Sequence, residues 1–285
     1  MKIVKDVSAV FRKELSTLYD MNEIDSLCMI VLTEVTGISS AMIKAFPEKE
    51  ISSIQSEAID KILTRLKTGE PVQYILGHTE FYGLPFKVNP SVLIPRPETE
   101  ELVDWVVGEW RAAVGDWKKP YSILDIGTGS GCIAISLKKN LIDAQVSAID
   151  LSPEALKTAK ENAELNKVDI TFILADILNL PRHSLLTTHY SLIISNPPYV
   201  TLQDKNQMHT NVTDFEPHTA LFVPEDDPLI FYKAIADFAA EHLEKDGLLF
   251  FEINESYAGQ IVELLNYKRV KKIELRKDMS GKHRM

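Results

Sequence analysis

Leu124-Asp125-Ile126-Gly127-Thr128-Gly129-Ser130-Gly131-Cys132 is the stretch that decides the fold of this 285-residue chain. An apolar run stops at three glycines in alternate positions, and a helical pattern starts at Cys132. Glycine tolerates positive φ and lets backbone approach a ligand closely. Amides at the start of a helix attract electron-rich groups. The stretch therefore reads as strand, tight loop and helix. The same grammar repeats outward from it. Strands are expected at 121–126, 145–149, 170–174, 192–195, 247–253 and 272–276. Helices are expected at about 132–140, 153–166, 228–244 and 256–267. Such alternation implies a parallel sheet covered on both faces, with ligands at the carboxyl ends of strands where the strand order reverses.

The loop is not a dinucleotide fingerprint, which would need glycine where Cys132 stands. The second strand leads to Asp150, whose carboxylate is placed to accept from two ribose hydroxyls. A helix N-cap, helped by Ser152 and Pro153, is the other reading of Asp150, and the short loop has room for both jobs. Asp125 is expected to orient the glycine loop. Asp176 and Ile177, after the third strand, are placed to border an adenine, with a cap as the other reading of Asp176. A nucleoside ligand without pyrophosphate fits this set, and S-adenosylmethionine is such a ligand.

The fourth strand runs into Asn196-Pro197-Pro198-Tyr199. Two prolines lock the backbone and remove two N–H donors. The Pro197 carbonyl and the Asn196 side-chain oxygen can then converge on one planar NH2 group. Tyr199 offers an aromatic face. A rigid structural turn is the bland alternative. The stretch 200–227 shows no clear periodicity, and loops that long inside a domain are usually functional or disordered.

Residues 1–78 read as helices only. Val7, Val10, Phe11, Leu15, Leu18 and Tyr19 recur at helical spacing. Further helices are expected at 23–35, before Gly37, and at 52–67, before Gly69 and Pro71. Residues 80–95, punctuated by Gly83, Pro85 and Pro90, suggest a hairpin. The expected domains are thus a helical unit at 1–78, a hairpin linker at 79–95 and the α/β unit at 96–285.

Composition narrows the class. The net charge is −10, with 45% hydrophobic and 25% charged residues. That apolar content excludes a disordered chain. The acidic balance disfavours a general nucleic-acid coater. Two cysteines, Cys28 and Cys132, make neither a disulfide framework nor a thiolate metal site. Seven histidines lack ligand spacing, and no metal site is expected. No signal peptide and no run of about 20 apolar residues is apparent, so a cytoplasmic address without membrane contact is expected. Cys132, opening a helix, is expected to be a packing residue, although a helix start can activate a thiol. Glu98, Glu100 and Glu101 read as the charged first turn of a helix.

Together the Asn196–Tyr199 tetrad, the glycine loop and Leu93-Ile94-Pro95-Arg96-Pro97-Glu98-Thr99-Glu100 resemble the protein glutamine methyltransferases of bacterial peptide chain release factors. So do Pro71–Gly77, Glu80-Phe81-Tyr82-Gly83, Glu216-Pro217, Ala220-Leu221 and Asp278-Met279-Ser280-Gly281 with Arg284. The resemblance spans essentially the whole chain. It implies a seven-stranded, Rossmann-like methyltransferase domain behind a small all-α domain and a hairpin. It also implies methyl transfer from S-adenosylmethionine, with S-adenosylhomocysteine as product, to the glutamine amide of a Gly-Gly-Gln loop.

By motif, Gly127, Thr128, Gly129, Ser130 and Gly131 would wrap the methionine part of the donor. Asp150 would bind the ribose, and Ile177 would lie by the adenine. Asn196 and Pro197 would grip the target amide, with Pro198 and Tyr199 shaping its pocket. The helical domain would help dock a release factor. Two departures stand out: Ile177 replaces an aromatic residue of some relatives, and Asn254 stands where relatives often have glycine. A final strand would also be expected to continue past Met285.

Two further readings use the same motifs. An adenine amino-methyltransferase shares the general form of the tetrad, but predicts a basic groove and base-flipping elements. A non-catalytic binder would have no reason to keep the tetrad, the glycines and Asp150 together. A monomer is the default expectation.

Overall fold

The computed structural model describes residues 1–112, 121–180, 189–205 and 208–285. They divide into two compact units, one of Met1–Leu76 with Thr210–Phe215, the other of Gly77–His209 with Glu216–Met285.

The helical unit holds α1 (Val4–Leu15), α2 (Met21–Thr36), α3 (Ser40–Ala45), α4 (Ser53–Leu66) and α5 (Val72–Leu76). Its core includes Val7, Phe11, Leu15, Ile24, Val31, Ile59 and Leu66, all fully buried. Local chemistry sets its boundaries. Asp20 caps α2 by accepting from the amides of Asn22 and Glu23, and Gly37 ends it at φ +67°. Ser52 and Gln55 form a reciprocal capping box at α4. Helices α3 and α5 are too short to show a periodic face, which is why the spacing did not reveal them.

The second unit opens with the hairpin β1 (His78–Phe81) and β2 (Leu84–Lys87). Its two-residue turn has positive φ at both Tyr82 and Gly83, 51° and 70°, as the tightest hairpin turns require. The α/β elements follow: α6 (Pro97–Ala112), β3 (Ser122–Ile126), α7 (Cys132–Asn140), β4 (Gln145–Asp150), α8 (Pro153–Asn166), β5 (Thr171–Leu174) and β6 (Tyr190–Ser195). Three short helices come next: α9 (Leu202–Lys205), α10 (Thr210–Phe215) of the helical unit, and α11 (His218–Leu221). Then come α12 (Ile230–His242), β7 (Leu243–Phe251) and α13 (Ala258–Tyr267).

Seven strands occur among the described residues, two in the hairpin and five in one parallel sheet of order β5-β4-β3-β6-β7. The chain builds β3, β4 and β5 to one side and returns to place β6 and β7 on the other. The order therefore reverses beside β3, where open α/β sheets bind ligands. Successive residues go to opposite faces. Ile123, Leu192, Ile194 and Phe250 enter one core with α6, α7 and the hairpin. Leu124, Ile193 and Phe251 enter another with α12 and α13. Burial on both faces explains why these strands read as apolar runs rather than as alternations.

Two expectations fail. Residues 272–276 form no strand. Lys272 has φ +56°, which breaks an extended chain, and the Arg276 amide instead donates to the Met285 carbonyl at 2.8 Å. The stretch 200–227 is not irregular. It holds α9, α10 and α11, and Val200 pairs with Phe222. Residues 206 and 207 of that stretch lie outside the described residues.

Candidate active site

All three loop glycines need their missing side chain, for two different reasons. Gly127, Gly129 and Gly131 have φ of 75°, 54° and 82°, a region that costs other L-residues about 1–2 kcal/mol. A Cβ on Gly127 or Gly129 would stand in open space. One on Gly131 would lie 3.0 Å from Ile135 Cδ1 and 3.2 Å from Ala159 Cβ. Gly131 therefore serves the packing of α7 on α8, while Gly127 and Gly129 face open space.

The loop is latched to β4 by backbone bonds. The amides of Gly127 and Thr128 both donate to the Ile149 carbonyl, at 2.9 and 3.0 Å. The amide of Gly129 donates to Asp150 Oδ2 at 2.8 Å, and that of Ser152 donates to Asp150 Oδ1 at 2.9 Å. The capping reading of Asp150 does not hold, because Ser152 caps α8, with Pro153 in its first turn. Each carboxylate oxygen of Asp150 keeps lone pairs for further donors. Burial raises the Asp150 pKa, against the pull of the Ser152 and Gly129 amides.

Asp125 lies beneath the loop, fully buried. Its Oδ2 accepts from Thr128 Oγ1 at 2.6 Å, which orients the loop as expected. Its Oδ1 has no hydrogen bond of good geometry, although the Ala134 amide lies near enough to pull the pKa down. Burial dominates and pushes the pKa up to about 7. Cys132 is also buried, and desolvation pushes its thiol up to about 12. The position at the helix start does not activate it. Asn162 of α8, fully buried, ties this loop to the hairpin. Its Nδ2 donates to the carbonyls of Ser130 and Lys87, both at 2.9 Å, and its Oδ1 accepts from the Lys87 amide at 2.7 Å.

The tetrad leaves the tip of β6 beside the glycine loop. Ser195 Oγ donates to the Ile126 carbonyl at 2.7 Å, joining the ends of β6 and β3. Pro197 is buried, and Asn196, Pro198 and Tyr199 are half-buried. Asn196 Nδ2 donates to Thr99 Oγ1 at 3.2 Å. Thr99 Oγ1 donates to Glu252 Oε2 at 2.6 Å. Tyr199 donates from its hydroxyl to Glu252 Oε1 at 2.9 Å. Glu252 is 1% exposed. Burial raises its pKa, while the hydroxyls of Thr99 and Tyr199 and the charge of Arg284 act the other way. Burial and the neighbouring Glu252 push the Tyr199 hydroxyl upward, so it stays a phenol.

The surrounding motifs brace this cluster. Arg96 is paired with the buried Glu216, which also accepts from the Ile94 amide at 3.2 Å. Val200 and Leu221 share a backbone bond of 2.9 Å, as do Val223 and Val200. Asn254 needs no glycine backbone, since its φ is −75°. Its Nδ2 donates to the Tyr199 carbonyl and to Asp204 Oδ2, at 3.2 and 3.1 Å. Arg284 Nε donates to the buried Asp278 at 3.3 Å, and the Arg284 carbonyl accepts from the Ile253 amide at 2.8 Å. Glu98 and Glu100 lie in the first turn of α6, and Glu100 accepts from the Tyr82 amide of the hairpin at 2.9 Å.

Asp176 is a cap. Its oxygens accept from the Leu178 amide and from Asn179 Nδ2, at 2.9 and 2.7 Å. Ile177 packs, partly buried, against the core on the α12 side of the sheet. Thr99, Glu252 and Asn162 had no role from sequence alone. A lone glutamate between Phe251 and Ile253, in an otherwise apolar strand end, was the available signal for Glu252.

The residues present fit S-adenosylmethionine. There is open space over Gly127 and Gly129, a nearby carboxylate has spare lone pairs, and no lysine stands in the loop for a phosphate. Two family models match, the Methyltransferase small domain at 116–214 and the PrmC N-terminal domain at 10–77. A release factor glutamine methyltransferase of Flavobacterium psychrophilum is 44% identical over 99% of this chain and 98% of its own. One of Bacteroides thetaiotaomicron is 41% identical over 98% and 97%. Among solved structures, human methyltransferase 10 domain containing protein matches 71% of this chain and 87% of its own, at 21% identity and a TM-score of 0.49. With 44% identity to a relative that it covers almost end to end, this chain belongs to the release factor glutamine methyltransferase family.

Proposed function

We propose that this protein transfers a methyl group from S-adenosylmethionine to the side-chain amide nitrogen of the glutamine in the Gly-Gly-Gln loop of peptide chain release factors, and so modulates translation termination. Membership of the family supports the reaction. The observation that carries the chemistry is the Asn196 amide, tied back through its nitrogen to Thr99. Its oxygen is left as an acceptor, next in sequence to the proline-fixed carbonyl of Pro197.

Two acceptors on one planar NH2 group set its plane and remove its water. For a nucleophile as weak as an amide, such positioning accounts for most of the acceleration. Pro198 and Tyr199 wall the pocket. S-adenosylmethionine, when bound, supplies a methyl group on a positively charged sulfur, and the C–S electron pair returns to that sulfur in S-adenosylhomocysteine. The amide nitrogen forms its N–C bond first and loses a proton to solvent afterwards, so no side-chain base is required. The positive charge passes from sulfur to the amide nitrogen and departs with the proton; in the transition state it is spread over both, which a water-poor site favours.

In this reading Gly127, Thr128, Gly129, Ser130 and Gly131 hold the methionine part of the donor. Asp150 accepts from the ribose hydroxyls with the lone pairs left by the Gly129 and Ser152 amides. Ile177 lies beside the adenine, in the turn that Asp176 caps. Residues 1–78 recognise the release factor, 79–95 link, and 96–285 carry the transfer. No helix among the described residues is long and apolar enough to cross a membrane. The protein acts as a cytoplasmic monomer without stable nucleic-acid binding.

Isotope-labelled S-adenosylmethionine offered with a release factor, or with nucleic acid, tests the reading. Label on the release factor is expected. Label confined to nucleic acid would identify the adenine amino-methyltransferase instead, and no label on either would leave a binder.

A further inference from the structure

Glu252 is buried at the end of β7, takes no part in the transfer itself, and touches two residues of the site. Its position raises the question of why a methyl-transfer site should retain it. The answer lies in counting protons. Glu252 accepts at both oxygens, from the Thr99 hydroxyl at 2.6 Å and from the Tyr199 hydroxyl at 2.9 Å. A hydroxyl has a single proton to give. Thr99 gives its proton to Glu252, so toward Asn196 it can only accept. The group of Asn196 that faces Thr99 at 3.2 Å must then be the NH2 end. With the amide turned over, two oxygens would face each other inside a half-buried pocket with no proton between them.

We infer that Glu252 and Thr99 are positioning residues that fix the polarity of the Asn196 amide, and thereby make the site select a hydrogen-donating amide over a carboxylate. The chain of donors runs one way, from Asn196 through Thr99 to Glu252. It ends with the Asn196 oxygen turned away from Thr99, as an acceptor. An incoming NH2 group satisfies that oxygen, whereas an incoming carboxylate meets an oxygen with no proton to offer. Glu252 also holds Tyr199 by the same rule. This inference rests on the amide-clamp reading given above, and deepens it.

The relay predicts how substitutions divide. Thr99→Val keeps shape but removes the hydroxyl, whereas Thr99→Ser keeps the hydroxyl. Glu252→Gln keeps shape but can turn its own NH2 group toward Thr99. The Thr99 proton is then free to point at Asn196, and the amide can adopt either orientation. The full-length protein would be assayed for kcat with a release factor, for S-adenosylhomocysteine affinity by calorimetry, and for melting temperature.

Thr99→Val is expected to lose about tenfold or more in kcat, with donor affinity within about twofold. Thr99→Ser should restore most of the rate. A release factor with glutamate in place of its loop glutamine should compete poorly against the wild type and distinctly better against Glu252→Gln. A Thr99→Val rate within about twofold of wild type overturns the relay, and so does an unchanged competition ratio in Glu252→Gln. If Thr99→Val does not fold, the isosteric Glu252→Gln decides by its competition ratio. Asn196→Ala separates the levels: full activity there refutes the clamp itself, while a loss there with an unaffected Thr99→Val refutes only the relay.

Discussion

Gly131→Ala is the perturbation whose cost the geometry resolves best. Two independent penalties meet at this position. The backbone has φ +82°, which costs an L-residue about 1–2 kcal/mol. The new methyl would sit 3.0 Å from Ile135 Cδ1, 3.2 Å from Ala159 Cβ and 3.4 Å from Ala159 Cα. The Ile135 methyl is the tip of a flexible side chain and can rotate away. Ala159 is part of α8 and cannot, so helix must move from helix, and overpacking of this kind costs about 1–3 kcal/mol. Together the effects amount to about 2–5 kcal/mol, or a fall in melting temperature of at least ~4 °C for a unit of this size.

Gly129→Ala is the control. It has the strained backbone at φ +54° but open space around the new methyl. Its stability loss should stay near 1–2 kcal/mol, roughly the strain alone, while S-adenosylhomocysteine affinity should fall under the proposed placement of the donor over this glycine. Thermal unfolding with and without S-adenosylhomocysteine measures both quantities. Gly131→Ala melting within about 1 °C of wild type, or the two variants losing stability equally, would refute the division of roles between these glycines.

Three more expectations follow from single groups. Asn196→Ala should bind S-adenosylhomocysteine nearly as well as wild type in calorimetry but transfer methyl at least about a hundredfold more slowly; near-normal turnover would contradict the clamp. Asp125 has its folded pKa raised to about 7, above the roughly 3.9 of an unfolded chain. Its contribution to stability is therefore whole below about pH 4 and is lost as pH rises through about 7. Asp125→Asn should abolish that part of the loss, visible as a smaller drop in urea midpoint between about pH 5 and about pH 8; parallel profiles for the two proteins would sink the assignment. Cys132, buried with its thiol pushed up to about 12, should resist alkylation in the folded protein and react promptly once unfolded, and rapid modification of the native protein would argue against its burial.

The sequence disclosed features whose cause is local and concealed those whose cause is distant. The glycine loop was legible because positive φ at 127, 129 and 131 leaves a mark in composition. The capping segment Ser152-Pro153 was legible because a cap acts within one helical turn, whereas the caps at Asp20 and Ser52 emerged only from the structure. By contrast, Thr99 meets Glu252 from 153 positions away, and no spacing rule links them. The same holds for the Asn162 bridge between the glycine loop and the hairpin. The stretch 272–276 misled for a related reason. Its alternation suits a strand, but a turn at Lys272 and the partnership of Arg276 with Met285 withdraw it from the sheet. Asp176 was divided between two roles because a cap and a ligand wall ask for the same residue type, and the amide of Leu178 shows it capping.

The central claim is that methyl lands on an amide nitrogen, and hydrolysis of the labelled product addresses that bond directly. A release factor methylated by this protein would be digested and its loop peptide isolated, then hydrolysed in strong acid. An N-methyl amide yields labelled methylamine and glutamate, and the account predicts that outcome, with no label when the loop glutamine is replaced by alanine. Label released as methanol by mild base, or retained on another residue of the peptide, would contradict it.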